Sequence, residues 1–540
     1  MRRPYRSVRK RVFRRLEAFG RRLNPPVRHR LRRVSDLVSG NLRGSFPAGP
    51  REVVHSFDFW ANISFMADAS VTALAGAGVG IVRLERDGTV ILALPAEARA
   101  AAISTLASDP VTGSWWLAPR FGSAQPITRL AAHAYRLRGE AVVTLFRFLI
   151  APDGTSIAGP ECGIQLQFWR RVDGNLARPD GGVHETGTRV APVVNSSAAY
   201  ITPSLWREAQ DDPGRRLRPT APPHLLSVRE PIDIVYTWVD DSDPEWQRRR
   251  RSVQPPRSGL SSDALHEGRT RNRDELRYSL RSLEAYASWY RHVWLVTDGQ
   301  VPNWLADHPR LTVVRHEEIF SDPKSLPTFN SHAIESQLHH IDGLAEHFIY
   351  LNDDVFFGRP VRPERFFTGS GLAKFSISPV SIDQQHTPIQ LSGAMHAARN
   401  NRRLLLNEFG RTVTSRVQHI PHAHRRSSLA QFEARHPQCL AAVARAKFRS
   451  DTDLSVASEL GHYWAYANGQ AITSTLSFRY VDIGSPLALE YLDSLLARRD
   501  QDAFCINDAG PYPYPVDYTP VTQFLERYFP VPSSFERVEA

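Results

Sequence analysis

Ile232-Asp-Ile-Val-Tyr-Thr-Trp-Val239, followed by Asp240-Asp241-Ser-Asp243-Pro244, is the stretch on which the reading of the fold turns. Its apolar, β-branched and aromatic residues run on without a polar alternation, as in a strand covered on both faces of a parallel sheet. Downstream the pattern repeats with helices between the strands. Leu276, Leu280, Leu283 and Ala287 give one apolar face to a helix over 274–290, and His292–Thr297 reads as a second strand closed by Asp298-Gly299. Leu311–Val314 is a third strand, Ser331–Leu344 a helix, and Phe348–Leu351 a fourth strand running into Asn352-Asp353-Asp354. This alternation predicts an α/β fold, a Rossmann-like or GT-A-like layered catalytic domain over residues 232–540.

Upstream, the composition changes twice. Residues 207–231 are rich in Pro and charge and read as a linker. Residues 51–206 carry strand-like runs at 89–94, 142–150 and 164–169 with turn signals at Arg86-Asp-Gly88 and Pro152-Asp-Gly154, which predicts a smaller β-rich (α+β) domain. Gly76-Ala-Gly78-Val-Gly80 lacks the spacing of a dinucleotide cradle and reads as a packed helix or turn. Residues 1–50 form a basic arm.

The arm accounts for the charge. Fifteen Arg or Lys against Glu17 and Asp36 give residues 1–44 a balance of +13, so the overall +11 leaves −2 for the rest. No apolar core of a signal peptide is visible there. A solvated tail and peripheral contact with an anionic membrane surface both fit the arm. No aromatic-basic reader module accompanies it, which argues against nucleic-acid binding. Three scattered cysteines, Cys162, Cys439 and Cys505, offer no disulfide framework and suit a reducing compartment. A cytoplasmic location, with the inner membrane face within reach of the arm, is the expectation.

In open α/β sheets ligands bind outside the carboxyl ends of the strands. Two such ends are acidic here, at Asp240-Asp241-Ser-Asp243 and at Asp353-Asp354. Carboxylates in that position suit Mg²⁺ (or Mn²⁺) held against a diphosphate, with Asp354 and Asp353 as metal ligands. Asn272 and Arg273 stand at a helix start, where an anion is favoured. Glu335 read alone is an ordinary helix carboxylate. In His419-Ile-Pro-His422-Ala-His424, Pro421 breaks any regular face, so one catalytic histidine is a better use of the segment than a zinc set. Arg449 offers a fixed cation for developing phosphate charge.

These blocks, in this order, resemble the Stealth family. Ile232–Pro244 resembles its first signature block; Arg273–Arg281, Thr297–Leu305, Leu326–Glu335 and Phe348–Asp354 resemble the second. Gln418–His422 resembles the third and Phe504–Asp508 the fourth. The resemblance implies a sugar-1-phosphate transferase, nearest in layout to actinobacterial exopolysaccharide phosphotransferases. It implies catalytic roles for Glu335, Asp354, His419 and Arg449, and substrate binding by Asp240 and Arg273; the helix start and the acidic strand end add Asn272 and Asp353 as substrate-binding candidates. It also implies a UDP-sugar donor (an N-acetylhexosamine-1-phosphate leaving UMP behind) and a polysaccharide acceptor. The family more often has Gly where this chain has Asp241. The rival reading is a metal-dependent GT-A glycosyltransferase, which uses a similar acidic strand end but releases UDP.

Overall fold

The computed structural model describes residues 48–537 except 87, 120–122, 134–136, 138, 173–176, 178–181, 196, 218–223, 255–270, 383–391, 509, 511 and 513–515. Residues 1–47 of the basic arm, and with them its proposed amphipathic helix, lie outside the described residues.

Helix α1 (Phe59–Gly76) begins at Asp58, whose carboxylate accepts from the backbone N–H of Trp60 at 2.8 Å and Ala61 at 3.1 Å. Its buried Ile63, Met66, Ala67 and Leu74 join the core under strands β1 (Thr89–Pro95), β2 (Val142–Phe146) and β3 (Ile164–Arg171). β3 pairs parallel with β1 and antiparallel with β2. The run expected as one strand over 142–150 is split, because Leu149–Ile150 leaves to pair with Glu52–Val53 in a separate sheet. Gly78, with φ +72, ends α1, so the glycine cluster is a helix-terminating turn.

The stretch expected as a linker is tied down at both ends. A helix over Pro203–Asp211 occupies its start. Beyond it, Arg83 N donates to Arg215 O at 2.6 Å and Val228 N to Glu364 Oε1 at 3.1 Å. The Arg215 carbonyl and the Val228 N–H thus each have a fixed partner outside the stretch.

The second part is built on a five-stranded sheet. Its members are β4 (Ile232–Thr237), β5 (Val293–Thr297), β6 (Leu311–Arg315), β7 (His347–Asn352) and β9 (His422–Arg425). The order is β6-β5-β4-β7-β9; the first four are parallel, and β9 runs antiparallel to β7. The chain thus lays strands first on one side of β4 and then on the other, which opens a crevice at the carboxyl ends of β4 and β7.

β4 is buried along both faces, with Ile232, Ile234, Val235 and Tyr236 in the core. Burying each such side chain contributes about 1.5–3 kcal/mol. The one charge in this strand, Asp233, is fully buried and fully partnered. It accepts from Arg291 Nε at 2.7 Å, Trp294 Nε1 at 2.9 Å and Ala345 N at 2.8 Å, which offsets the cost of taking a carboxylate out of water.

The helix expected over 274–290 is α3 (Glu275–Ala287). Arg277 reaches Glu536, and Arg281 joins it with Nε 2.7 Å from Glu536 Oε1, fastening the C-terminal segment to α3. The helix expected over 331–344 stops after α4 (Ser331–Glu335) and resumes as a 3₁₀ turn, Leu338–His340. Its polar side chains are drawn to separate partners: His332 to Asp453, Glu335 to Ser458, and His339 and His340 to Glu433.

Candidate active site

β7 does not end in a loop. Asp353 and Asp354 form a two-residue turn into β8 (Val355–Phe357), which belongs to a second, three-stranded sheet with β10 (Phe478–Asp482) and β11 (Ala503–Asn507). The acidic pair therefore sits where the two sheets meet. Ile506 N donates to Asp354 O at 3.1 Å and holds the turn against β11.

A cleft of about 420 Å³ opens above it. Thr237, Trp238 and Val239 line it from β4, and Asn352, Asp353 and Asp354 from β7. α2 (Pro244–Ser252) contributes Trp246 and Arg250, with Trp246 edge-on to Phe329 at 5.2 Å. Ser331, Ile334 and Arg449 form another wall, and Asn507, Asp508 and Tyr518 a third.

The register of β9 explains how a histidine 65 residues further along arrives at the same place. Tyr350 is opposite His422, so the antiparallel strand enters from the carboxyl end of β7 and the residues just before it stand beside the acidic turn. His419 Nε2 lies 3.6 Å from Asp354 Oδ1. The other oxygen, Oδ2, accepts from Asn507 Nδ2 at 2.8 Å and from Cys505 Sγ at 3.3 Å. Burial raises the pKa of Asp354, but His419, Asn507 and Cys505 together outweigh it and keep this carboxyl below its ordinary value. Asp354 Oδ1 is buried without a hydrogen-bond partner. Asp354, His419 and Cys505 bring three ligand atoms within 4.8 Å of one another.

Asp353 behaves oppositely. Burial first, then the neighbouring carboxylates Glu275 and Asp354, push its pKa well above the usual carboxylate range. Burial also raises Glu275. A carboxyl raised in the fold favours its protonated form, so its contribution to stability is present at low pH and is lost as pH rises through the folded value. Asp353→Asn is therefore expected to raise the unfolding temperature of the protein in chelator at neutral pH. The gain should shrink toward zero below the ordinary aspartate range, where both states are protonated. Differential scanning calorimetry across pH checks this, and a lowered unfolding temperature at pH 7 would contradict it.

Arg449 and α4 belong to one rigid unit. Arg449 donates from Nη2 to Ser331 Oγ at 2.7 Å. Behind them, buried Asp453 accepts from Asn330 Nδ2 at 2.9 Å and pairs with His332 Nδ1 at 3.0 Å, while Phe329 N donates to Lys447 O at 2.8 Å. The guanidinium is thus aimed by packing and not left to wander on a loop.

Four conserved-region models of one family match the chain: Stealth protein conserved region 1 at residues 230–254, region 2 at 269–375, region 3 at 418–466 and region 4 at 493–540. An exopolysaccharide phosphotransferase of Streptomyces coelicolor is 44% identical over 393 residues, covering 72% of this chain and 67% of the relative. A second one from that organism is 38% identical over 433 residues, with 78% of each chain covered. The exopolysaccharide phosphotransferase CpsY of Mycobacterium tuberculosis is 40% identical over 410 residues, with 74% of each covered.

The chain belongs to the Stealth family. It is a phosphotransferase.

Within the Stealth regions the expected site residues divide into two groups. Asp353, Asp354, Arg273 and Arg449 line the cleft, and His419 stands against Asp354. Glu335, Asp240 and Asn272 do not line it. Glu335 is buried, its Oε2 accepting from Ser458 N at 3.0 Å and from the Ser458 hydroxyl. Asp240 closes the turn after β4: its Oδ1 accepts from Ser242 N at 2.9 Å, and its backbone N–H donates to Gln300 at 3.0 Å. Asp241 causes no strain, since the described non-glycine residues with positive φ are Arg215, Asp274 and Arg499. Asn272 Oδ1 accepts from Asp274 N at 3.0 Å and shapes the entry to α3.

The helix start itself is not an open anion site, because Arg273 N is taken by Glu275 Oε2 at 2.8 Å. The Arg273 guanidinium is clamped over the Tyr518 ring, 3.2 Å from its centroid, and bonds Asp508 Oδ2 at 3.1 Å. His422 and His424 point elsewhere: His422 Nδ1 meets His462 Nε2 at 2.9 Å and His424 Nε2 meets Ala457 O at 2.6 Å, so the three histidines of that segment do not converge. Glu275, Cys505, Asn507 and Asp508 escaped the sequence reading as site residues. Asp508 carried a signal, being a third carboxylate just past an apolar strand. Among the described residues no helix is long and apolar enough to cross a membrane.

Proposed function

We propose that this enzyme transfers a hexose-1-phosphate, an N-acetylhexosamine-1-phosphate in the reading we favour, from a UDP-sugar to a hydroxyl of a polysaccharide acceptor, releasing UMP. The observation that carries the proposal is the convergence of the Asp353-Asp354 turn and Arg449 at one cleft on the carboxyl edge of a parallel sheet, with His419 standing against Asp354. That sheet, with its one antiparallel member beside β7, supports a GT-A-like reading of the catalytic domain. The printed names of the relatives support an exopolysaccharide as the product.

In this reading the diphosphate lies over the acidic turn. Asp354 Oδ1, which faces His419 Nε2 at 3.6 Å but takes no hydrogen bond, and the carboxylate of Asp353 fit Mg²⁺ or Mn²⁺, which takes carboxylates together with phosphate oxygens in preference to a softer set including Cys505. When bound, the ion would offset charge on the diphosphate. The acceptor hydroxyl gives its proton to the His419 imidazole, whose Nε2 is turned to Asp354. The acceptor oxygen forms its bond to the sugar-linked phosphorus, the diphosphate P–O bond breaks, and UMP leaves with the electron pair. Arg449 neutralises charge building on the phosphoryl oxygens. Glu335 acts from behind, fixing α4 to Ser458. The arm would hold the enzyme at the cytoplasmic membrane face.

Incubation with UDP-N-acetylglucosamine, Mg²⁺ and a cell-surface glycan extract tests this. Acceptor-dependent UMP that vanishes in Asp354→Asn is the expected outcome; acceptor-dependent UDP would establish a glycosyltransferase in its place.

A further inference from the structure

Away from the cleft, two neighbouring histidines meet one glutamate. His339 and His340 belong to the 3₁₀ turn Leu338–His340, and Glu433 to α5 (Arg426–Arg435). None of the three lines the cleft. His339 Nε2 and His340 Nε2 each lie 2.8 Å from the same atom, Glu433 Oε2. Adjacent residues of a helical turn do not ordinarily face each other. Here the two rings sit with centroids 4.2 Å apart and aim at one point.

We infer that His339, His340 and Glu433 form a binding site for a divalent transition-metal ion of the zinc class. Hydrogen bonding fixes which nitrogen of His340 is bare. Its Nδ1 lies 2.9 Å from the carbonyl oxygen of Ile319, which can only accept, so Nδ1 carries a proton. A neutral His340 then turns an Nε2 lone pair toward a carboxylate oxygen at 2.8 Å, an acceptor facing an acceptor. A cation ligated by both atoms, with the two drawn slightly apart to admit it, resolves that contact. The alternative is a second proton on His340, which would make the cluster a plain ion pair.

Other features favour the metal. An imidazole whose second nitrogen donates to a backbone carbonyl is the arrangement found around metal-bound histidines. Two imidazoles with one carboxylate suit zinc and its neighbours, not magnesium or calcium. The ligand atoms lie within 4.8 Å of one another. His339 is buried at 2% exposure, whereas His340 at 23% and Glu433 at 34% leave a path from solvent and room for water as a further ligand. An ion held there would fasten the turn ahead of β7 to α5, two elements with no residue lining the cleft.

The test uses the full-length protein stripped with chelator, dialysed and titrated with Zn²⁺, with Co²⁺ visible absorption as a second probe. One equivalent of Zn²⁺ is expected to bind the wild type and Asp354→Asn alike. His340→Ala and Glu433→Gln are expected to bind it more weakly by at least the roughly 10–100-fold that loss of an outer-shell partner costs, and to lose the ligand-field bands of Co²⁺. Glu433→Gln keeps the side chain's size, so weaker binding with an unchanged metal-free unfolding temperature assigns the loss to ligation. Absence of Zn²⁺ binding to the wild type would overturn the inference. So would undiminished binding in both His340→Ala and Glu433→Gln, or loss only in Asp354→Asn, which would place the ion in the cleft.

Discussion

His419→Ala is expected to lower kcat by about 10²–10⁴-fold, the range for loss of a positioned general base, while donor binding measured by calorimetry stays within about twofold of wild type. The expectation follows from how the ring is held. Its Nε2 faces Asp354 at 3.6 Å, its side chain keeps 31% exposure, and β9 delivers it to the carboxyl end of β7. The carboxylate that orients the ring is itself fixed by Asn507 and Cys505, so it should remain in place when the imidazole is removed. A loss confined to KM would mean that His419 holds substrate and moves no proton. Retention of full turnover would remove it from the chemistry altogether.

Arg449→Lys is the second large effect, expected to cost about 10²–10³-fold in kcat with little change in KM. Lysine keeps the charge but not the planar fork that matches phosphoryl oxygens. The wild-type guanidinium is already pinned by Ser331, on a helix anchored through Asn330 and His332 to Asp453. Its charge is therefore preorganised and aimed before the transition state forms. A variant in which KM rises and kcat holds would place Arg449 in ground-state binding. Measuring both constants at saturating acceptor separates the two cases.

What could be read in the sequence, and what could not, follows from range. β4, β5 and β7 were legible because a strand buried on both faces must be apolar throughout, a local property. The Asp353-Asp354 turn was legible for the same reason, since it follows such a strand immediately. Its partners were not. Cys505 and Asn507 come from a strand some 150 residues later, and nothing near them in sequence announces that β11 pairs with β8. The helical periodicity of 331–344 outruns helix α4 because the polar side chains along it are claimed by Asp453, Ser458 and Glu433. The side chains of Asp240 and Asn272 each accept from a neighbouring backbone N–H, a local turn contact that residue type and position do not reveal. The resemblance to Stealth blocks supplied Glu335, and only the structure separates it from the cleft wall that Ser331 and Ile334 form on the same helix.

The central claim concerns which bond of the donor breaks, and following the β-phosphorus tests it most directly. With UDP-N-acetylglucosamine carrying ³²P in the β-phosphate, the account predicts that label enters the acceptor glycan in an acid-labile phosphodiester and that the released nucleotide is unlabelled UMP. Label remaining in UDP, with unlabelled sugar joined to the glycan, would contradict it.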